Sequence, residues 1–457
     1  MYKNMEESMK SVFLTVCLVL LSALVAAQDV SVTVYNSNLG VVSETRSLDF
    51  QKGVNRLAFK DVPSSIDPAS VQFSVVGSGH AVNILEQNYA FDLVSADQMY
   101  NKYVDNEIEL IDKDGKLYSG TLLAYGSGTV TLKDKNGAIK IVQLDNIAEV
   151  NFPALPDGLI TRPTLFWLYN SDYSGVLPCK VGYQTSGLNW KAEYVGVLSS
   201  DEKNLDLSGW ASINNTSGKT YKDATLKLVA GDIHRAAPQL RGGMSAMKSL
   251  AAPSEYDGFK EKSFFEYHLY TLPRKATVAD KEIKQISLFE PARTQVKKVF
   301  MFRPERNATQ VEVDLNFKNS KSTGLGLPLP AGRARIFKAD TDGSLILLGE
   351  DNVDHTPVDE DLDLNIGYAF DITAEEKVAN QTQISSKVQE QDLEVRLANH
   401  KKEDVTVEVE KKLYGFWEIL ESSIPFEKKD AYTVDFKVPV PSDSTVVLKY
   451  TVRYTYR

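Results

Sequence analysis

Cysteine is nearly absent from this sequence: two occur in 457 residues, and one of them, Cys17, lies in an apolar stretch at the N-terminus. With only Cys179 beyond that stretch, no internal disulfide can form, so an apolar core must stabilise the chain. A composition that is 43% hydrophobic and 10% aromatic allows this. Long hydrophobic runs are as scarce. The one of note, VFLTVCLVLLSALVAA at residues 12–27, follows Lys3 and Lys10. It has the length of a signal-peptide core and is short for a membrane span. Val25 and Ala27 supply the small residues a signal peptidase needs, so residues 1–27 are expected to be an export signal. No transmembrane segment is expected once it is removed. An excess of positive charge is missing too, since 61 acidic and 51 basic residues give a net charge of −10. Such a surface repels polyanions, and nucleic acid is not an expected partner.

Catalytic signatures are also wanting. There is no His-Glu-x-x-His, no Gly-x-Ser-x-Gly, no cysteine pair and no Gly-x-Gly-x-x-Gly leading from a strand into a helix. The five histidines, His80, His234, His268, His355 and His400, are not spaced as metal ligands. Gly218-Lys219-Thr220 has the ending of a phosphate-cradling loop. However, Ile213 stands where the first glycine should be, and strand-like sequence follows where a helix is needed. Gly218 is therefore expected at the bend of a hairpin loop, with Lys219 in solvent.

What the chain does contain is period-two alternation. Leu205, Leu207, Gly209, Ala211 and Ile213 share one strand face, as do Ala224, Leu226, Leu228 and Ala230, and near the end Leu448, Tyr450, Val452 and Tyr454. Consecutive runs of this kind mean antiparallel sheet with one side buried. The fold class expected is mainly β: a multi-domain set of antiparallel β-sandwiches, Ig-like at the C-terminal end, with an inserted small barrel of SH3 or Sm type. Residues 28–92 are read as an N-terminal β domain. Residues 93–155 form the inserted unit, in which Ser95 and Gln98 have capping-box spacing for one short helix. Five tightly turned strands follow, one pair joined by Asn136-Gly137, a two-residue hairpin turn. A large sandwich is expected in two parts, 156–233 and 263–384, on either side of a Gly-, Ala- and Pro-rich linker at 234–262 that carries Met244 and Met247. The C-terminal sandwich covers 385–457.

Three groups of residues are candidates for chemistry. His268 with Glu266, and His355 with its acidic neighbours, could supply an acid/base pair once folded. Asp354, Asp359, Glu360 and Asp361 crowd one turn; such an oxygen-rich set suits a hard cation such as calcium, although a solvated acidic turn is the reading preferred. No other cofactor is expected. Trp210, Tyr267 and Tyr270 are aromatic candidates for gripping a ligand, against the plainer reading of packing between sheets.

Several long motifs, in order, resemble the domain-of-unknown-function 4139 family: VTVYNSNLGVVSETRSLDF from Val32, LSGWASINNTSGKTYKDATLKLVAGD from Leu207, FFEYHLYTLPRKATVADKEIKQISL from Phe264, LPLPAGRARIFKAD from Leu327 and NHKKEDVTVEVEKKLYGFWEIL from Asn399. The small barrel is the part least covered. The resemblance implies an exported bacterial protein, with relatives labelled mucoidy inhibitors. It brings no established activity and no catalytic residues. The expected function is a non-enzymatic envelope protein that binds a protein or glycan. The alternative is a secreted hydrolase whose site is assembled only in three dimensions.

Overall fold

A computed structural model describes residues 29–156, 159–231, 259–264 and 267–456. The expected signal peptide, Glu266, and the linker as far as residue 258, including Met244 and Met247, lie outside the described residues. Among those described, no helix is long and apolar enough to cross a membrane.

Strands dominate, as the alternation predicts. The first sheet has eight, in the order Lys260–Phe264, Tyr267–Thr271, Tyr221–Ala230, Asp29–Tyr35, Gly40–Phe50, Gly175–Thr185 and Ile66–Val75, with Ala276–Val278 also paired to Tyr221–Ala230. Gly53–Lys60, Thr164–Ser171 and Val82–Ala90 form a three-stranded sheet. A five-stranded sheet runs Glu282–Gln295, Asn204–Asn215, Leu188–Leu198, Gly332–Ala339 and Leu345–Val353. One core joins these three sheets, with Val32, Trp167, Trp190, Ile213, Leu226 and Ile336 all buried in it. The division expected at residue 92 is thus corrected. Strands from both sides of it share sheets, because Gly40–Phe50 pairs along its length with Gly175–Thr185.

The fourth sheet has nine strands between Lys297 and Thr455 and its own core, which includes Phe302, Val407, Phe436 and Leu448. A C-terminal unit starting at 385 is corrected for the same reason. Asp361–Ser385 pairs with both Gln310–Lys318 and Val388–Asn399, so the sheet reaches back across the expected boundary.

In the small unit, Ser95 caps the helix Ala96–Lys102, its Oγ accepting from the Gln98 N–H at 3.2 Å. The five strands follow in order, and the helix adds Tyr100 and Tyr103 to a core with Ile108, Leu122 and Val130. The sheet runs Ile147–Asn151, Glu107–Asp112, Leu117–Gly126, Thr129–Lys133 and Ile139–Gln143. Its outer strands are not paired to each other, so the closed barrel expected is an open sheet.

Three strand pairs run parallel among the described residues, and the same device precedes each. Tyr221–Ala230 lies parallel to Asp29–Tyr35, Gly332–Ala339 to Leu188–Leu198, and Val405–Lys412 to Lys297–Phe302. Upstream of the three stand Asn215, Asn319 and Asn399, each fully buried at the end of the preceding strand. The Asn215 amide donates to the carbonyls of Lys219, Val278 and Ala279, that of Asn319 to Leu327, Thr356 and Pro357, and that of Asn399 to Glu403, Val440 and Pro441. A chain crossing between strands leaves carbonyls without ladder partners, and an unsatisfied buried polar group is costly. At each crossing the two N–H groups of one asparagine amide are shared among the three carbonyls, and that of Thr356 also accepts from the Leu329 N–H.

Candidate functional site

The crossing after Asn215 contains Gly218-Lys219-Thr220, and the structure corrects the expected position of Lys219. Gly218 has φ of 84°, and a Cβ there would stand 1.9 Å from Ser64 Oγ, so only glycine fits this turn. The turn aims Lys219 into the protein, where it is 8% exposed. Its Nζ donates to Glu44 Oε1 at 3.0 Å and to the Tyr183 hydroxyl at 3.4 Å. Glu44, 1% exposed, also accepts from the Tyr183 hydroxyl at 2.9 Å and from Arg46 Nε and Nη2 at 2.9 and 2.7 Å. Arg46 donates onward to the Lys60 carbonyl and lies 4.1 Å over the Phe59 ring. Burial lowers the Lys219 pKa and, with Glu44 adding to the effect, raises that of Tyr183 well above the ordinary phenol range. Both Glu44 oxygens are engaged by two cations and a phenol, and Arg46 alone would balance the carboxylate's charge. The network ties the N-terminal hairpin to the crossing loop 175 residues later and holds no group poised for proton transfer to a ligand.

The acid/base candidates are placed separately. His268 is half-buried, and its Nδ1 lies 2.7 Å from Glu261 Oε1 on the neighbouring strand. A histidine–carboxylate pair therefore forms there with Glu261, a residue that lay inside the expected linker. His355 accepts at Nδ1 from the Ala331 backbone N–H at 3.1 Å, which fixes that ring beside a loop rather than beside His268.

The acidic turn is pinned by its backbone. Asp359, at φ of 68°, donates its N–H to the Asn319 carbonyl at 2.7 Å, and the Glu360 carbonyl accepts from the Asn319 N–H at 2.8 Å. Asp354, Glu360 and Asp361 are exposed. Among the described residues no three His, Cys, Asp or Glu side chains come together as a metal-holding group.

The aromatic candidates do not converge. Tyr270 is buried in the large core, its hydroxyl on the Pro328 carbonyl and its ring edge-on to Trp190. Tyr267, three residues earlier on the same strand, is half-buried. Trp210 is part-exposed on another sheet, opposite Glu193, which Arg335 and Lys191 hold at 2.8 Å.

An apolar patch escaped the sequence reading. Leu345, Ile346 and Leu347 are each about half exposed at an edge strand, and Phe370 is 95% exposed. The two segments run antiparallel past each other: the Asn365 N–H donates to Asp351 at 2.8 Å, and a Cβ on Gly349 would stand 2.2 Å from the Ile366 carbonyl. The same progression brings Leu347 and Leu345 alongside Tyr368 and Phe370. The available signal was Leu345-Ile346-Leu347-Leu348, four apolar residues in a row where a half-buried strand should alternate.

Fold and site together define a mainly-β, multi-sheet protein whose buried charges act as ties between strands. Within it, residues 32–134 match the family model of an N-terminal domain of unknown function (DUF4140). The match runs from the first hairpin into the small unit. No curated protein matches the chain.

Proposed function

We propose that this protein is an exported, non-enzymatic binding scaffold of the cell envelope, which docks a protein partner on the apolar patch around Phe370. The supporting observation is that patch: aliphatic and aromatic side chains left in water at a sheet edge. Exposed contiguous apolar surface is unfavourable unless a partner covers it. Leucine and isoleucine give non-directional contact suited to another protein, whereas a sugar needs hydrogen-bonding groups for its hydroxyls. Pull-down from envelope extract with the native protein and with a Leu347→Ser/Phe370→Ser variant tests this. The native protein should recover a reproducible partner that the variant loses, with melting unchanged. Recovery of the same partners by both, or of none by either, would reject it. Export is read separately by fractionation: the mature chain should begin near Gln28 outside the cytoplasm, and an intact N-terminus retained inside would remove that part of the proposal.

The His268–Glu261 pair supports a second reading, a hydrolase in which Glu261 orients His268 as general base. Hydrolysis of a glycosyl, acyl or peptidyl substrate that vanishes in His268→Ala would favour it. A broad panel without turnover would retire it.

A further inference from the structure

On the outward face of the first sheet, behind the Glu44 network, lies an open cavity of about 450 Å³. Its floor is Gly182, and Val41, Ser43, Gln72, Ser74, Lys180 and Gln184 line it from three adjacent strands. A register shift opens it: Gly182 pairs with Gln72 but Gln184 pairs with Asp67, so residues 68–71 bulge aside. The bulge is fixed, because Ser70 Oγ accepts from the Gln184 N–H at 2.7 Å and donates to the Asp67 carbonyl at 2.6 Å. By contrast, among the described residues the side chains of Ser43, Gln72, Ser74, Lys180 and Gln184 have no hydrogen-bond partner within the protein. Elsewhere on the same strands, polar side chains such as Glu44, Arg46 and Tyr183 are fully engaged.

We propose that this groove is a saccharide-binding site. Two hydroxyls and two primary amides each donate and accept, and one ammonium only donates. Sugar rings present hydroxyls that do both, at the spacing of neighbouring side chains on a sheet. The cavity volume falls within the ~300–1,000 Å³ usual for small-molecule sites. A polyanion would need more than one cation, and beside the polar groups Phe73 and Val41 offer apolar surface to a sugar ring. The ionic tie beneath stiffens the two strands that carry Ser43 and Gly182, which keeps the groove preformed.

The glycine floor provides the test. A Cβ on Gly182 would meet nothing nearer than 3.8 Å, and its backbone is not in the left-handed region, so Gly182→Leu fills the groove without straining the chain. Titration calorimetry of the full protein with glucose oligosaccharides, N-acetylglucosamine oligosaccharides and a disaccharide carrying one hexuronate should show binding by at least one. That binding should fall about tenfold or more in Gly182→Leu, with an unchanged thermal midpoint. Lys180→Ala should weaken a hexuronate more than a neutral sugar. Should Gly182→Leu melt early, the exposed pair Gln72→Ala/Gln184→Ala carries the same expectation. Failure of every oligosaccharide to bind, or equal binding by native and groove variants, would overturn the proposal. Either result leaves partner recovery through the Phe370 patch unaffected.

Discussion

Replacing Lys219 by methionine would keep most of the side chain's volume and delete one of the two cations on Glu44. The carboxylate would stay 1% exposed, with Arg46 at 2.7 Å and the Tyr183 hydroxyl at 2.9 Å as its remaining donors. Breaking a buried pair from one side costs about 3–5 kcal/mol. Because Arg46 still neutralises Glu44, the loss should fall near the lower end, about 3 kcal/mol. Removing both partners in Glu44→Leu/Lys219→Met should cost less than the two single losses added, since apolar groups can replace a buried pair with little net change. A coupling of about 2 kcal/mol is expected from the cycle. Arg46 then keeps the Lys60 and Asp61 carbonyls as acceptors. Urea unfolding followed by tryptophan fluorescence reads this directly, because Trp167 and Trp190 lie in the core next to the network. A Lys219→Met effect below about 0.5 kcal/mol, the size typical of surface changes, would refute the argument. So would labelling of Lys219 by an amine reagent as fast as the exposed lysines.

Burial raises the pKa of Tyr183, Tyr194, Tyr221, Tyr270 and Tyr450 above the ordinary value of 10.0. The folded state holds these phenolic protons when the unfolded chain has released them. Their contribution is therefore complete below pH 10 and declines above it, by about 1.4 kcal/mol per pH unit for each tyrosine; an unfolding midpoint that stays level to about pH 11 would contradict this. Asn399→Ala strips the donor from three carbonyls and should destabilise the C-terminal sheet by about 3 kcal/mol, at about 1–3 kcal/mol for each unsatisfied group, measured by hydrogen exchange in Val405–Lys412 and Thr433–Val440. Melting with excess calcium and then with chelator should give superimposable transitions. A shift on chelation would point to a cation held at the turn of Asp354 to Asp361.

Much of the fold was legible locally. Ala224, Leu226 and Leu228 are fully buried on the face their alternation assigned, and so are Leu448, Tyr450 and Val452. The Ser95 cap is where short-range rules put it, whereas Asn136-Gly137 belongs to a three-residue loop closed by Asp134 and Ala138 rather than to the two-residue turn expected. The asparagine crossings left a weaker trace: Asn215 precedes Asp223-Ala-Thr-Leu-Lys-Leu as Asn399 precedes Asp404-Val-Thr-Val-Glu-Val. That likeness becomes meaningful only when both runs are seen to enter parallel pairs. The site was less legible. Glu261 was assigned to a linker, and alternation favoured packing for Tyr270 without saying which sheet would cover it.

The sequence by itself determined that this protein is built of half-buried strands, because side-chain alternation is a property of neighbouring residues. Tertiary structure alone decided which strands share a sheet, where Lys219 points, and which polar groups are left facing water. Those outcomes depend on residues such as Glu44 and Lys219, separated by 175 positions, and burial of a charge is settled by the partner that reaches it rather than by the residues on either side.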